Sequence, residues 1–409
     1  MSNTFKQIPQ GFKQTDIGLI PEEWDLKKLS EASEIIMGQS PPSSTYSSNG
    51  NGLPFYQGKT DFGNVYPTPR IWCTSPSKIA EKNDILISVR APVGPTNLSF
   101  EKSGVGRGLS AIRARENHYL YIYYYLKKIE KEIEKLGTGS TFKAINKSQL
   151  YNIKIPLPPL PEQKKIAHVL SKIQRAIETQ KQIIKTTQEL KKALMQKLFT
   201  EGLNPATTGQ KQTEIGLIPE SWEITNLGSI VNFKTGKLNS NAAVDGGKYP
   251  FFTCSQGDFW IDDYKYDEEA ILLSGNNARA IYSVKYYNGK FNAYQRTYII
   301  TIKNLAEYDY FFLKFALEFN LERLRIISIG TSTKYLTLGL LTNLLFIKPD
   351  ITEQKEIAVL LKNIDSKISI YINRLNALKD LFEGSLNKLM TGQIRVKDIE
   401  FKIDKEKVS

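Results

Sequence analysis

Two short polar loops carry the residue types that grip phosphate. Gly139-Ser140-Thr141-Phe142-Lys143 and Gly330-Thr331-Ser332-Thr333-Lys334 each place hydroxyls and a lysine behind a glycine, and each glycine lies 23 residues ahead of a glutamate, Glu162 or Glu353. Backbone N–H groups, hydroxyls and a lysine at a fixed place are what phosphate contact uses. A structural turn with a solvated lysine fits the same residues equally. Arg90, Arg107, Arg279 and Arg296 interrupt or flank β-rich runs, beside Gly, Asn or Gln. Arg pairs with guanine, and Asn or Gln with adenine, in direct readout of DNA. Each of these arginines is therefore either a base contact or an ordinary solvated side chain.

Other motifs reduce to structure. Gly104-Val-Gly-Arg-Gly108 has the look of a nucleotide loop, which must follow a buried strand and open a helix. Here a strand-like LSAIRA follows it, so it is read as a turn. Ser40-Pro-Pro-Ser43 lacks the aromatic that amino-methyltransferases stack on a flipped base. Pro21-Glu-Glu-Trp-Asp-Leu-Lys27 mimics a nuclease carboxylate–lysine cluster, but its second copy, Pro219-Glu-Ser-Trp-Glu-Ile-Thr225, loses the lysine. Trp24 and Trp222 then read as anchors at the start of two modules. With only His118 and His168 present, and Cys73 and Cys254 far apart, no triad, zinc site or P-loop is expected, and no metal or catalytic residue is assigned.

The elements that must position these loops come as a repeat. KQTDIGLIPEEW at 13–24 returns as KQTEIGLIPESW at 211–222, with 10 of 12 residues identical. EQKKIAHVLSKI from Glu162 returns as EQKEIAVLLKNI from Glu353, with 7 of 12 identical. Between the copied blocks lie two far less similar stretches, about 25–150 and 223–345. Such a frame around divergent inserts describes two similarly built modules that contact two different things. Short β-type runs such as DILISV and AILLSG, dense breakers, and helical patches at Tyr119–Leu136 and from Tyr308 make each module mixed α/β.

IPLPPLP at Ile155–Pro161 imposes an extended stretch, and Pro161-Glu162 opens a helix. From Glu162 to Thr200 there is neither Gly nor Pro. Leu170, Ile177, Ile184 and Leu198 share one heptad position, broken at Lys191. Leu361, Ile368, Leu375, Phe382 and Leu389 share the equivalent position of the second copy. Sustained heptads predict a coiled-coil seam, and a helix of about 40 residues is about 60 Å long. Equal lengths and registers suit pairing of the two helices with each other. Antiparallel pairing would put the modules at opposite ends.

Bulk properties agree. A chain of 409 residues exceeds one ordinary core, and a net charge of +13 favours a polyanionic partner. The start MSNTFKQIPQ has no apolar core, and no 18-residue apolar run occurs, so neither secretion nor a membrane span is expected. Two unpaired cysteines suit a reducing cytoplasm.

In combination, the paired IGLIPxxW and EQKxIAxxL blocks, YQGKTDFG at Tyr56–Gly63, DILISVRAPVG at Asp84–Gly94, AILLSGNNARA at Ala270–Ala280 and GKFNAYQRTY at Gly289–Tyr298 are specific. Over nearly its whole length the chain resembles the specificity subunits of Type I restriction-modification enzymes. The resemblance implies an α+β fold: two pseudo-repeated α/β target recognition domains separated by two long antiparallel coiled-coil helices. Its expected divisions are a first recognition domain at 1–156, a spacer helix at 157–202, a second recognition domain at 203–348 that begins with a linker at 203–212, a spacer helix at 349–394, and a tail at 395–409. It implies a non-catalytic subunit that reads a split, asymmetric site on double-stranded DNA and docks two modification (methyltransferase) subunits and the restriction subunits. S-adenosylmethionine, ATP and magnesium would sit on those partners, with no cofactor here, in the cytoplasm. Lys59 joins Arg90, Arg107, Ser140, Thr141, Lys143, Arg279, Arg296, Thr331, Ser332 and Lys334 as DNA-binding candidates. A stand-alone site-specific methyltransferase or nuclease is the alternative, and a coiled-coil adaptor without nucleic acid a further one.

Overall fold

The computed structural model describes residues 8–138, 143–204 and 209–400. The chain forms two compact units, Met1–Gln180 with Leu375–Ser409, and Lys181–Arg374.

In the first unit the copied opening block forms a hairpin, Phe12–Thr15 against Gly18–Pro21. The next strand, Asp25–Lys28, pairs antiparallel with Lys154–Leu157, so the chain entering the module is zipped to the chain leaving it. Between them lies a four-stranded antiparallel sheet in the order Thr96–Leu98, Ile85–Ser88, Leu109–Ala114, Ser33–Met37. Ile85–Ser88 is buried along its whole length, which is why it reads as an unbroken apolar run. A five-stranded sheet adjoins it, in which Leu53–Tyr56 runs parallel to Ser103–Val105. The predicted helical patch is two helices, Tyr119–Lys128 and Glu130–Leu136, hinged at Ile129. Tyr121, Tyr123, Tyr124 and Tyr125 are buried, and the Tyr121 and Tyr125 hydroxyls donate to the carbonyls of Pro156 (2.6 Å) and Lys154 (2.9 Å). The helix thereby holds the exit strand.

The second unit repeats this plan. Its hairpin is Gln210–Thr213 against Gly216–Pro219, and Glu223–Asn226 pairs with Leu345–Lys348. A six-stranded sheet has the order Val231–Thr235, Thr297–Ile302, Tyr266–Ser274, Val284–Ala293, Tyr249–Phe252, Trp260–Ile261. Tyr249–Phe252 runs parallel to Val284–Ala293, as its counterpart does in the first unit. Helices Tyr310–Phe319 and Leu321–Ile327 again divide the predicted patch in two.

The heptad stretches are continuous helices, Leu160–Glu201 and Ile351–Met390. In the first unit, Ile166, Leu170 and Ile177 share a core with Phe382, Leu386 and Leu389. In the second, Met195, Leu198 and Phe199 share one with Ile357 and Leu361. Glu353 accepts from the Leu203 N–H, and Lys191 pairs with Asp365 at 2.6 Å. Earlier positions of one helix thus meet later positions of the other, so their paired segments run antiparallel. Lys191, the break in the first heptad, is tied to Glu318 as well, at 3.0 Å. Burial pulls its ammonium down, but Glu318 and Asp365 outweigh burial and hold it above the usual lysine range.

The repeated residues lock helix to module in the same way twice. Trp24 Nε1 donates to Glu162 at 3.2 Å, and Trp222 Nε1 to Glu353 at 2.8 Å. Gln163 accepts from the His118 N–H, and Gln354 from the Asp309 N–H, at the residues that precede helices Tyr119–Lys128 and Tyr310–Phe319. Pairing satisfies polar groups that burial would otherwise penalise.

Candidate nucleic-acid interface

In the first unit Lys59, Arg90 and Arg107 come together although they are far apart in sequence. They line one open cleft of about 530 Å³ with Gln57, Thr60 and Pro92. The parallel strand Leu53–Tyr56 delivers Gln57 and Lys59 to its rim, and the turn before Leu109–Ala114 delivers Arg107. That turn packs backbone on backbone: a Cβ on Gly108 would collide with the Gln57 carbonyl. The Arg107 N–H is held by the Ser40 hydroxyl at 3.2 Å, so the Ser-Pro-Pro-Ser segment supports the turn. Under the rim, buried Asp61 accepts from the Gln57 N–H at 2.7 Å and from Arg70 Nη2 at 2.6 Å and Nε at 3.0 Å. Tyr56 lies beside it, its phenol pushed up to about 12 by burial, with Glu101 and Asp61 adding to the shift.

Arg90 also bridges antiparallel to Ala144, which bridges to Thr138. This sets exposed Lys143 next to the cleft-lining strand. Ser140 and Thr141 lie outside the described residues.

The second unit has the same three-stranded arrangement. Tyr335 bridges Ile329 on one side, and Lys334–Tyr335 pairs with Asn276–Asn277 on the other. Lys334 therefore stands to Asn276 as Lys143 stands to Arg90. The loop between them turns at Gly330, whose φ is +103° and whose Cβ would collide with the Thr333 carbonyl, so only glycine suits the turn. Thr331 and Ser332 are exposed at its tip. Arg296 lines a cleft of about 470 Å³ with Gln295, Tyr298 and Tyr335. The Tyr298 hydroxyl donates to the Leu336 carbonyl at 2.8 Å and fixes the lysine strand. The Cys254 thiol, pushed up by burial, donates to the Arg296 carbonyl at 3.3 Å, a structural role. Arg279 projects from a turn in which Asn277 Oδ1 accepts from the Arg279 and Ile281 N–H groups.

Among the described residues, no hydrogen bond or ion pair engages the ammonium or guanidinium group of Lys59, Arg90, Arg107, Lys143, Arg279, Arg296 or Lys334. Seven unneutralised cations on two equivalent faces suit a polyanion. Sequence reasoning missed Gln57, Gln295 and Tyr335, which line the two clefts, and Asn276, which pairs with Tyr335. The constant spacing between Lys143 and Lys334, and the Asn and Gln residues flanking the arginines, were the signals that pointed there.

The remaining motifs resolve structurally. Glu23 of the carboxylate–lysine cluster turns to Arg395 and Lys397, at 2.7 and 2.9 Å. Among the described residues no group of His, Cys, Asp and Glu could hold a metal ion, and no helix is long and apolar enough to cross a membrane.

Comparison with known proteins agrees with this arrangement. The family model for the Type I restriction modification DNA specificity domain matches twice, over 21–189 and 219–380. The MjaVIII specificity subunit of a type I restriction enzyme from Methanocaldococcus jannaschii is 28% identical over 96% of this chain and 98% of its own length. The MjaX specificity subunit of the same organism is 46% identical, but the match spans 47% of this chain and 46% of that relative. The crystal structure of the S subunit of a Type I restriction-modification system from M. genitalium superposes with a TM-score of 0.64 at 19% identity, over 92% of this chain and 97% of that one, and so shares the fold. Two matched stretches on a duplicated frame, each running from a module into its long helix, place this chain in the family of Type I restriction-modification specificity subunits.

Proposed function

We propose that this chain is the non-catalytic, sequence-reading subunit of a Type I restriction-modification complex, acting in the cytoplasm on double-stranded DNA. Each module reads one half of a bipartite, asymmetric site. In this reading residues 1–156 and 203–348 are the recognition domains, and the helices within 157–202 and 349–394 are the spacer and the docking surface for two modification subunits and the restriction subunits. Those partners carry S-adenosylmethionine, ATP and magnesium.

One observation carries the reading: the same three-stranded arrangement in each unit sets a lysine, Lys143 or Lys334, beside a cleft whose lining includes polar side chains and arginines with unpaired guanidinium groups. Equivalent lysines on unrelated neighbours suit a shared, sequence-blind contact such as phosphate, while the differing neighbours suit base reading. Binding of the assembled modification complex to DNA, measured across a salt series, tests it. Lys143→Ala and Lys334→Ala should each weaken binding on all sequences alike and reduce the salt slope by about 0.9 for each phosphate no longer neutralised. An unchanged slope with altered base preference would refute the phosphate role. Methyl transfer or cleavage by the pure chain alone, given S-adenosylmethionine or magnesium, would favour the stand-alone enzyme instead.

A further inference from the structure

We propose that the two clefts read different bases: the first contacts guanine through Arg90 and Arg107, and the second contacts adenine through Asn276 and Gln295. The inference rests on the reading of the clefts as DNA-facing.

Strand register makes the four positions equivalent in pairs. In the first unit Leu109 lies opposite Ser88, and in the second Thr297 lies opposite Ser274. Two residues past Ser88 is Arg90, and two past Ser274 is Asn276. Two residues before Leu109 is Arg107, and two before Thr297 is Gln295. A second, independent register agrees. Val105 lies beside Tyr56 on the parallel strand, Ala293 lies beside Phe252, and Arg107 and Gln295 each follow two residues later. Arg90 bridges Ala144 as Asn276 pairs with Tyr335. The same two backbone sites thus hold Arg and Arg in one module, Asn and Gln in the other.

The chemistry of the side chains differs in kind. A guanidinium offers only donors, which match the two acceptors guanine shows in the major groove. A carboxamide offers one acceptor and two donors, which match adenine's N6 amine and N7. All four are available for this. Arg90 and Arg107 are exposed with unpaired guanidinium groups, and their backbones are fixed by Ala144 and the Ser40 hydroxyl. Asn276 is half-buried, follows Gly275 of the cleft lining and pairs with the cleft-lining Tyr335, and among the described residues no hydrogen bond engages its side-chain amide. Gln295 donates one N–H to Asn239 Oδ1 at 3.1 Å, which orients the amide and leaves its carbonyl and second N–H for a base.

Selection from random-sequence DNA by the assembled modification complex tests the assignment. The wild type should enrich a bipartite site with guanines in the half that follows the first module and adenines in the half that follows the second. Arg107→Gln should erase a guanine preference of roughly 5- to 150-fold at one position of the first half only. Arg107→Lys, which keeps the charge but replaces the planar fork by a single ammonium, should lower the same preference without erasing it, with affinity largely kept. Gln295→Arg should raise guanine over adenine at one position of the second half. A bipartite site whose bases ignore all three substitutions would overturn the assignment and leave DNA reading intact. Failure of the wild type to enrich any sequence would overturn both.

Discussion

Replacing Arg395 by Met should loosen the first unit locally and leave the second as it was. The Arg395 guanidinium closes on the Glu162 carboxylate with Nε at 2.8 Å and Nη2 at 2.9 Å, while Trp24 Nε1 takes a third position at 3.2 Å. Glu162 is only 3% exposed, so the methionine variant strands a buried carboxylate with the indole as its one remaining hydrogen-bond donor among the described residues. Removing one partner of a buried pair costs about 3–5 kcal/mol. Arg395 itself is 24% exposed, and water already screens part of the attraction, which lowers the expected cost to about 2–3 kcal/mol. At 1.4 kcal/mol per tenfold, backbone amides at the start of the first long helix should exchange roughly 30- to 150-fold faster. Hydrogen exchange read by mass spectrometry resolves this peptide by peptide, where a single unfolding midpoint for a two-unit chain does not. Peptides around Trp222 and Glu353, whose lock contains no arginine, serve as the control. Adding Glu162→Gln should recover part of the loss, because an amide keeps the acceptor for Trp24 without stranding a charge. Unchanged exchange in the single variant, or a double variant worse than the single, would refute the reasoning.

Three further outcomes follow from the geometry. Lys397, and then Arg395, bond to Glu23 and depress its pKa from 4.5 to about 2; because the folded value is the lower one, this contribution is present above about pH 4.5 and lost as pH falls towards 2, and Glu23→Gln should flatten an acid titration of tail protection in that window. Asp61→Asn should loosen the Gln57–Lys59 rim and weaken reading of the first half-site with the second half-site unaffected, because Asn cannot accept from both the Gln57 N–H and the Arg70 guanidinium; equal loss at both halves by methylation assay would contradict this. Inserting four helical residues after both Gln180 and Arg374 lengthens each helix by about 6 Å, so if the helices are the ruler, oligonucleotides with about two more spacer base pairs should be methylated best; retention of the original spacing would exclude that role.

The frame was legible because its parts are local or repeated. Trp24 and Trp222 read as anchors, and each is buried against the glutamate that opens the following helix. Heptad spacing marked Leu160–Glu201 and Ile351–Met390 well, since side-chain period reports directly on a buried stripe. The same pattern misjudged details settled by tertiary packing. Lys191 looked like a flaw in the seam but is held by Glu318 and Asp365, residues remote in sequence. Tyr119–Leu136 looked like one helix and bends at Ile129. Arg395 and Val396 sit in what read as a tail, yet Val396 joins the core and Arg395 closes the Glu162 lock, because no periodicity announces a single packed residue. The cleft rims were the least legible. Gln57, Arg90 and Arg107 meet only through strand register, and Asn276, Gln295 and Tyr335 do so again in a sequence too divergent to align by eye. Arginine drew attention for its charge, whereas an unpartnered amide such as Asn276 has no signature until its neighbours are placed.

Two modules on one repeated frame should read DNA independently of each other. Exchanging residues 25–150 for the corresponding stretch of a relative with a different target, then mapping methylated sites of the assembled complex, tests this most directly. A new first half-site, an unchanged second half-site and an unchanged spacing between them are expected. A swap that altered both halves, or neither, would show that the modules do not read DNA separately.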